Sequence, residues 1–266
     1  MKQMNSVIID KEKCTGCEQC CKDCVSGVLS IKDGKAVVLS DRCLKCGHCI
    51  AICPKGAVSM SGLDMKEVKP YSKKDFGLNE DVLLNTLKFR RSIRHFTDRG
   101  VEKDILEKIV EAGRFTPTGS NSQNVKYVIV TGSIPFFEDE GIKSFRKMKS
   151  IAGIVSRFVK LPYDLSGFKL EPGFLFHGAP ALILAISKSD INGSLASMSM
   201  ELMAESMGLG TLYVGLFTMV ANKNRKIRTN LGLRGHEHIV TCLAVGYPAV
   251  QYQRTVPRNK AIIAWR

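Results

Sequence analysis

The sequence predicts an α+β protein in two parts: a small cysteine-rich module, then a larger domain in which a mixed or antiparallel sheet is covered by helices. Three observations carry this. Nine of the ten cysteines precede residue 54. A polar stretch, "GLDMKEVKPYSKKDFGLNED", broken by Gly and Pro, follows them and reads as a linker. Beyond it, apolar runs of strand length alternate with segments of helical period. The boundaries expected are 1–60 for the module, 61–80 for the linker and 81–266 for the larger domain. A chain of 266 residues can bury a sizeable core.

The segment "CTGCEQCCKDC", Cys14 to Cys24, packs five cysteines into eleven residues. A second run, "CLKCGHCIAICP", spans Cys43 to Pro54. The start "MKQMNSVIIDKEKC" has no apolar stretch of export-signal type, so the cysteines point to a metal site rather than to disulfides. The spacings are Cys14-x2-Cys17-x2-Cys20-x3-Cys24 and Cys43-x2-Cys46-x2-Cys49-x3-Cys53-Pro54. Three closely spaced thiolates wrap one [4Fe–4S] cubane, and the fourth, too far along to close the same site, crosses to the other. The expected ligands are therefore Cys14, Cys17, Cys20 and Cys53 for one cluster, and Cys43, Cys46, Cys49 and Cys24 for the second. Cys21 is left over, as a small buried apolar group beside the first cluster. Zinc also takes Cys-x2-Cys pairs, but it needs only four ligands per site and gives no reason for the x2-x2-x3 pattern. His48, between ligands, is expected at the surface. "VLSIKDGKAVVLS" reads as a hairpin turning at Asp33-Gly34. Residues 5–60 resemble bacterial two-cluster ferredoxins, departing at Val25, where those proteins usually carry proline.

Past the linker, "EDVLLNTLKFRRSIRHF" reads as a short helix, with Val82, Leu83, Leu87 and Phe89, ending in the basic cluster Arg90, Arg91 and Arg94. "VEKDILEKIVEAGRF" is an amphipathic helix with Ile105, Leu106, Ile109 and Val110 inward. "PTGSNSQN" is a polar loop and "VKYVIVTG" a strand. Residues 135–175 read as irregular, with a basic amphipathic piece around "FRKMKSIAGIVSRFVK". "APALILAIS" is a buried strand, "SLASMSMELMAESMGLG" a helix, "TLYVGLF" a strand, "KNRKIRTNLGL" a helix and "HIVTCLAVGYP" a strand. The stripe Met198, Met200, Met203 and Met207 is expected to be core, and Cys242 inert packing.

Arg90, Arg91, Ser92 and Arg94 form a compact set of donors, and guanidinium forks suit phosphate because they bond in pairs and keep their charge. The hydroxyls and amides of Thr118, Ser120, Asn121, Ser122 and Gln123 suit the edges of a heterocycle or a polyol. In this order, and with "HGAPALILAIS", "AESMGLGTLYVGLF" and "LAVGYP…VPRNK" behind them, these pieces resemble the FMN-dependent nitroreductase family over residues 81–266. Asn124-Val125 and Lys260 depart from its usual pattern. The resemblance implies a homodimer with FMN at the interface. It places Arg90, Arg91, Ser92, Arg94 and Arg258 on the phosphate and ribityl end, and Asn121 with the loop Thr118–Gln123 on the flavin or ribityl chain. It also implies that Val214 and Gly215 offer backbone groups near the isoalloxazine. Tyr213, Phe217 and the 135–175 region are the expected pocket walls.

The net charge of +14 invites a nucleic-acid partner, but the basic residues are dispersed and no reading motif accompanies them. Two clusters at about −2 each and a flavin phosphate at about −2 would bring the loaded chain to about +8. No apolar run approaches the roughly 18–20 residues of a membrane span, so a cytoplasmic protein is expected. The fusion implies an iron–sulfur flavoprotein oxidoreductase. Electrons from reduced ferredoxin or NAD(P)H would pass through two clusters to FMN, which reduces an electron-poor small molecule such as a nitroaromatic or quinone. The alternatives are a flavin reductase, dehalogenase or enone reductase on the same scaffold, or a non-catalytic electron carrier.

Overall fold

The computed structural model describes residues 7–155 and 169–266. The chain divides into two compact units, Met1–Leu78 with Gly119–Ser122, and Asn79–Thr118 with Gln123–Arg266. Among the described residues no helix is long and apolar enough to cross a membrane.

The first unit runs β1 (Val7–Ile9), α1 (Gln19–Lys22), β2 (Leu29–Lys32), β3 (Lys35–Val38), α2 (His48–Ala51) and β4 (Val58–Met60). β1 pairs antiparallel with β4, and β2 with β3. The hairpin turns at Asp33 and Gly34, both at positive φ, as a two-residue turn of the primed type requires. The two cysteine runs have one backbone shape used twice. Gly16, Glu18 and Gly27 sit in the left-handed region, and so do Lys45, Gly47 and Gly56 at the matching places of the second run. At Gly16 the demand is absolute, because a Cβ there would lie 2.2 Å from the Gly34 carbonyl oxygen. The loop thus closes directly on the hairpin turn. Within the stretch read as a linker there are a 3₁₀ turn at Met65–Glu67 and a one-turn helix, α3 (Lys73–Phe76).

The second unit continues with α4 (Glu80–Phe89), α5 (Lys103–Arg114), β5 (Lys126–Val130), α6 (Ile134–Val155), β6 (Ala181–Ser187), α7 (Asp190–Ser206), β7 (Gly210–Tyr213), α8 (Gly215–Ala221), α9 (Arg225–Asn230) and β8 (His238–Gly246). The sheet order is β5-β6-β8-β7, every pairing antiparallel. β6 is buried along its whole length because both faces of the sheet are covered. Leu182, Leu184 and Ile186 pack with Phe137, Phe217 and Ile227, on the side of α6, α8 and α9. Ala181, Ile183 and Ala185 pack with Leu106, Ile109 and Met200, on the side of α5 and α7. A strand buried on both faces reads as a continuous apolar run, which is how "APALILAIS" reads.

Two expectations need correction. Residues 134–155 are one 22-residue helix rather than irregular chain. Phe137, Ile142 and Phe145 bury one stripe of it. The stripe is hard to see in sequence because two carboxylates share the inward side. Glu138 accepts the N–H groups of Leu175 and Phe176 at 2.9 and 3.1 Å, and Glu140 is buried among lysines. The rest of the basic piece, 156–168, lies outside the described residues. Second, "TLYVGLF" is not one strand: β7 ends at Tyr213 and α8 begins at Gly215.

Candidate functional site

All ten cysteines are free thiols. Cys14, Cys17, Cys20 and Cys53 line one cavity together with Gly16, Ile31 and Ala57, and Cys21 is not among its walls. This is the ligand set expected for the first cluster, with the crossing cysteine in place. Cys49 has Cys43 and Cys46 as electrostatic neighbours, three of the four expected for the second. Among the described residues, no three His, Cys, Asp or Glu side chains converge as they would on a single ion.

The thiols differ in their surroundings. Burial, with Cys21 and the other thiols adding to it, pushes Cys20 up to about 12. Burial also raises Cys49. Cys14 is held below its usual value by the backbone N–H groups of Ala36 and Gly16. The Ala36 N–H donates to Cys14 Sγ at 3.4 Å, that of Lys45 to Cys43 Sγ at 3.3 Å, and that of Ala57 to Cys53 Sγ at 3.2 Å. Such donors stabilise thiolate charge and tune the potential of a bound cluster.

In the second unit the segment "RRSIRHF" leaves α4 and runs beside the edge of the sheet. Ser92 forms a parallel bridge with Thr211 of β7, and the Ile93 N–H donates to the Thr211 carbonyl at 2.9 Å. Gly210 allows this approach, since a Cβ there would lie 2.3 Å from Ile93. Arg90 Nη1 donates to Glu201 Oε1 at 2.9 Å, and Glu201, a buried carboxylate on α7, also accepts from Thr211 Oγ1 at 3.3 Å. Arg91 Nη1 donates to the Arg90 carbonyl at 2.6 Å. Arg90 Nε and Arg91 Nε and Nη2 are buried with no acceptor among the described residues. Buried guanidinium nitrogens left unpaired are costly, and an anion would satisfy them. The residues present therefore fit the phosphate end of a nucleotide cofactor.

Two cavities flank the end of β7. One, of about 360 Å³, is lined by Arg94, Leu175, His177, Tyr213, Val214 and Gly215. The other, of about 290 Å³, shares Tyr213, Val214 and Gly215 and adds Thr218, Met219 and Thr241. The structure thus brings Arg94, Val214, Gly215 and Tyr213 together. The Val214 N–H is spent on the Cys242 carbonyl at 2.8 Å, so of the two expected backbone donors the Gly215 N–H, in the first turn of α8, is the one without an acceptor among the described residues.

His177, which sequence reasoning did not single out, sits in the first cavity at φ 52°. Burial lowers its pKa first, with Arg94 and His95 adding to the effect, so the imidazole is neutral near pH 7. A non-glycine residue in this backbone region beside an arginine was the signal, and it exists only in three dimensions.

Other expected residues are placed elsewhere. Phe217 is wholly buried, edge-on to Phe137 and Phe176 with centroids 6.3 and 4.9 Å away, and is core rather than pocket wall. Thr118 Oγ1 accepts the Gln123 N–H at 2.9 Å, which closes the polar loop. Ser120, Asn121 and Gln123 all have positive φ, a strained set for one short loop. Gly119–Ser122 groups with the first unit, where Asn121 Nδ2 donates to the carbonyls of Leu44 and Lys45 at 3.1 and 2.9 Å. Ser120, Asn121 and Ser122 are not among the residues lining the two cavities beside β7. Arg258 is exposed, in the stretch after β8 that carries neither helix nor strand. Cys242 is buried, and burial pushes its thiol up, as inert packing requires.

Comparison with known proteins bears on both parts of the chain. Residues 6–54 match the sequence profile of a 4Fe-4S dicluster domain. A putative NADH dehydrogenase/NAD(P)H nitroreductase of Methanothermobacter thermautotrophicus is 24% identical over 167 residues, 63% of this chain and 78% of that protein. The FMN reductase [NAD(P)H] of Bacillus subtilis is 25% identical over 183 residues, 63% of this chain and 66% of that protein. Among solved structures, an FMN-bound nitroreductase from Desulfitobacterium hafniense shares the fold with a TM-score of 0.56 at 19% identity, covering 71% of this chain and all of that one. One from Bacteroides fragilis, also with FMN, gives 0.52 at 22%, covering 70% of this chain and all of that one. The sequence profile of the nitroreductase family spans residues 87–247, more than half of the protein, and the chain belongs to that family.

Proposed function

We propose that the protein is an iron–sulfur flavoprotein oxidoreductase, holding two [4Fe–4S] clusters and FMN and reducing an electron-poor organic molecule such as a nitroaromatic or quinone. When bound, FMN supplies exchange between single electrons and hydride, and the clusters supply single-electron transfer. The observation that carries the reading is the cavity at the end of β7, where Arg94, Val214 and Gly215 meet, with Arg90 and Arg91, whose buried nitrogens lack an acceptor among the described residues, on the same segment as Arg94.

In this reading Arg91, Ser92 and Arg94 take the phosphate and ribityl oxygens, and Arg90 is oriented for the same task by Glu201. The Gly215 backbone, which lines both cavities, would hold the flavin ring by its N–H. Neutral His177 stands beside Arg94 as a hydrogen-bonding group that adds no charge. Tyr213, between the two cavities, excludes water from the ring. The two cysteine sets hold one cluster each, Cys24 and Cys53 crossing between the runs. The chain works as a homodimer, in which the partner covers the apolar residues Val82, Leu84, Leu87 and Phe89, exposed on α4, and supplies Arg258 or the Thr118–Gln123 loop to the neighbouring site. The donor is NAD(P)H or reduced ferredoxin.

The test is anaerobic purification with iron and flavin counted per chain, followed by separate additions of NADPH and reduced ferredoxin. Bleaching of the flavin band by either, with turnover of a nitroarene or quinone, is the expected result. Absence of flavin after reconstitution, or bleaching without turnover of any acceptor, would leave only an electron carrier.

A further inference from the structure

A third cleft, of about 640 Å³, opens between α6 and the region where α8 turns into α9. Its size is within the range of small-ligand pockets. Met148, Met219 and Val220 contribute apolar surface to it. Its other walls are cationic: Lys143 and Lys147, one turn apart on α6, and Lys223, Arg225 and Lys226 across from them. One carboxylate, Glu140, lines it with them, and it is already shared. It accepts from Lys226 at 3.2 Å, from Lys143 at 3.4 Å and from Asn224 Nδ2 at 3.3 Å. Burial works against its charge, but these hydrogen bonds prevail and hold it below the usual carboxylate range, so it is ionised and fully engaged. Lys143 is drawn further by Asp139 at 2.5 Å. Lys147, Lys223 and Arg225 have no acidic partner among the described residues.

Five exposed cations lining one open, partly apolar cleft set up a summed positive potential that draws anions. A lone phosphate would leave most of the cleft empty and make no use of the methionines. A ligand with adjacent phosphates and a flat ring uses both, the phosphates between the two rows of cations and the ring on the soft, polarisable sulfurs. We propose that this cleft is a nucleotide site, taking a nucleoside with two or more phosphates, distinct from the FMN cavities. Met219 lines both the cleft and the 290 Å³ cavity beside Gly215, so an occupant would sit next to the redox site without entering it.

The experiment is calorimetric titration of the FMN-loaded protein with ADP, pyrophosphate and inorganic phosphate, repeated at rising salt. One ADP per chain should bind, more tightly than either inorganic anion and more weakly as salt rises. Lys147→Gln/Lys223→Gln should weaken ADP by about tenfold or more, since a charge-assisted hydrogen bond is worth at least that factor. Its FMN content should match wild type, which also shows that it folds. Met148→Ala should weaken ADP but not pyrophosphate, a test that leaves every charge in place. The proposal fails if ADP does not saturate, if the double variant binds it as wild type does, if pyrophosphate binds as tightly as ADP, or if ADP binds only by displacing FMN. The last outcome would place the nucleotide in the flavin cavity and leave the functional reading intact.

Discussion

In the first unit the buried residues are Cys14, Cys20 and Cys49 beside small or medium groups such as Val28, Ala36 and Ala57. In the second they are Phe137, Phe145, Phe217, Ile183, Leu184 and Met200, stacked on both faces of a sheet. The second unit closes on itself by apolar burial alone. The first has too little apolar mass for that, and its thiols surround a cavity instead of filling it. A metal cluster there would form part of the core, so we expect folding and cofactor loading to be one equilibrium in the first unit and separate ones in the second.

The sharpest way to break this contrast is at the thiols. Cys20→Ser should lower iron from about eight to about four atoms per chain, or lower still if the module unravels. Cys21→Ser should leave iron near wild type, because Cys21 is not on the cavity. Iron lost from Cys21→Ser and retained in Cys20→Ser would overturn the ligand assignment.

Next in size is the apolar core. Ile183→Ala, at a fully buried position on β6, should cost about 2–5 kcal/mol in denaturant unfolding followed by the far-ultraviolet signal. Iron absorbance should keep its own midpoint. If the iron signal moves with the rest, the two units do not unfold separately.

Glu201→Gln sharpens the comparison within the second unit, where a site rather than a core depends on one buried carboxylate. It removes the charge from the acceptor of Arg90 while keeping the shape. FMN retention, measured by dialysis against wild type, should weaken about tenfold or more, in line with about 1.5–3 kcal/mol for a hydrogen bond to a charged group. The thermal midpoint should move less than in Ile183→Ala, and unchanged FMN retention would mean that Arg90 is positioned without Glu201.

The smallest effect is at the surface. Glu102 accepts from Arg99 at 2.7 Å and from the Tyr247 hydroxyl at 2.8 Å, and the Arg99 hydrogen bond leads in holding it at about 2. Its folded value lies below its ordinary one near 4.5, so its contribution is fully present above about pH 4.5 and is lost as pH falls through about 2. The gap in thermal midpoint between wild type and Glu102→Gln should be small at pH 6 and close towards pH 2. A gap that widens on acidification would contradict the assignment.

The cysteine module was almost wholly legible in the amino-acid sequence. Ligand spacing, the Asp33-Gly34 turn and the doubled pattern are local, and cluster chemistry admits few ways to satisfy them. The strands of the larger domain were legible for a similar reason: β6 announces two-sided burial through an unbroken apolar run. What local pattern did not reveal was α6, where half-buried Glu138 and buried Glu140 break the apolar stripe and are explained by partners more than thirty residues away. Nor did it reveal that Phe217 belongs to the core, that the Val214 N–H is spent on Cys242, or that His177 stands beside Arg94. The sequence by itself determined which atoms can hold iron and which segments bury apolar surface, because both depend on residue type and short spacing. Only the tertiary structure decided which arginine keeps unpaired nitrogens, which backbone N–H stays available and where five cations line one cleft, because hydrogen-bond partners and summed potential are set by neighbours distant in the chain.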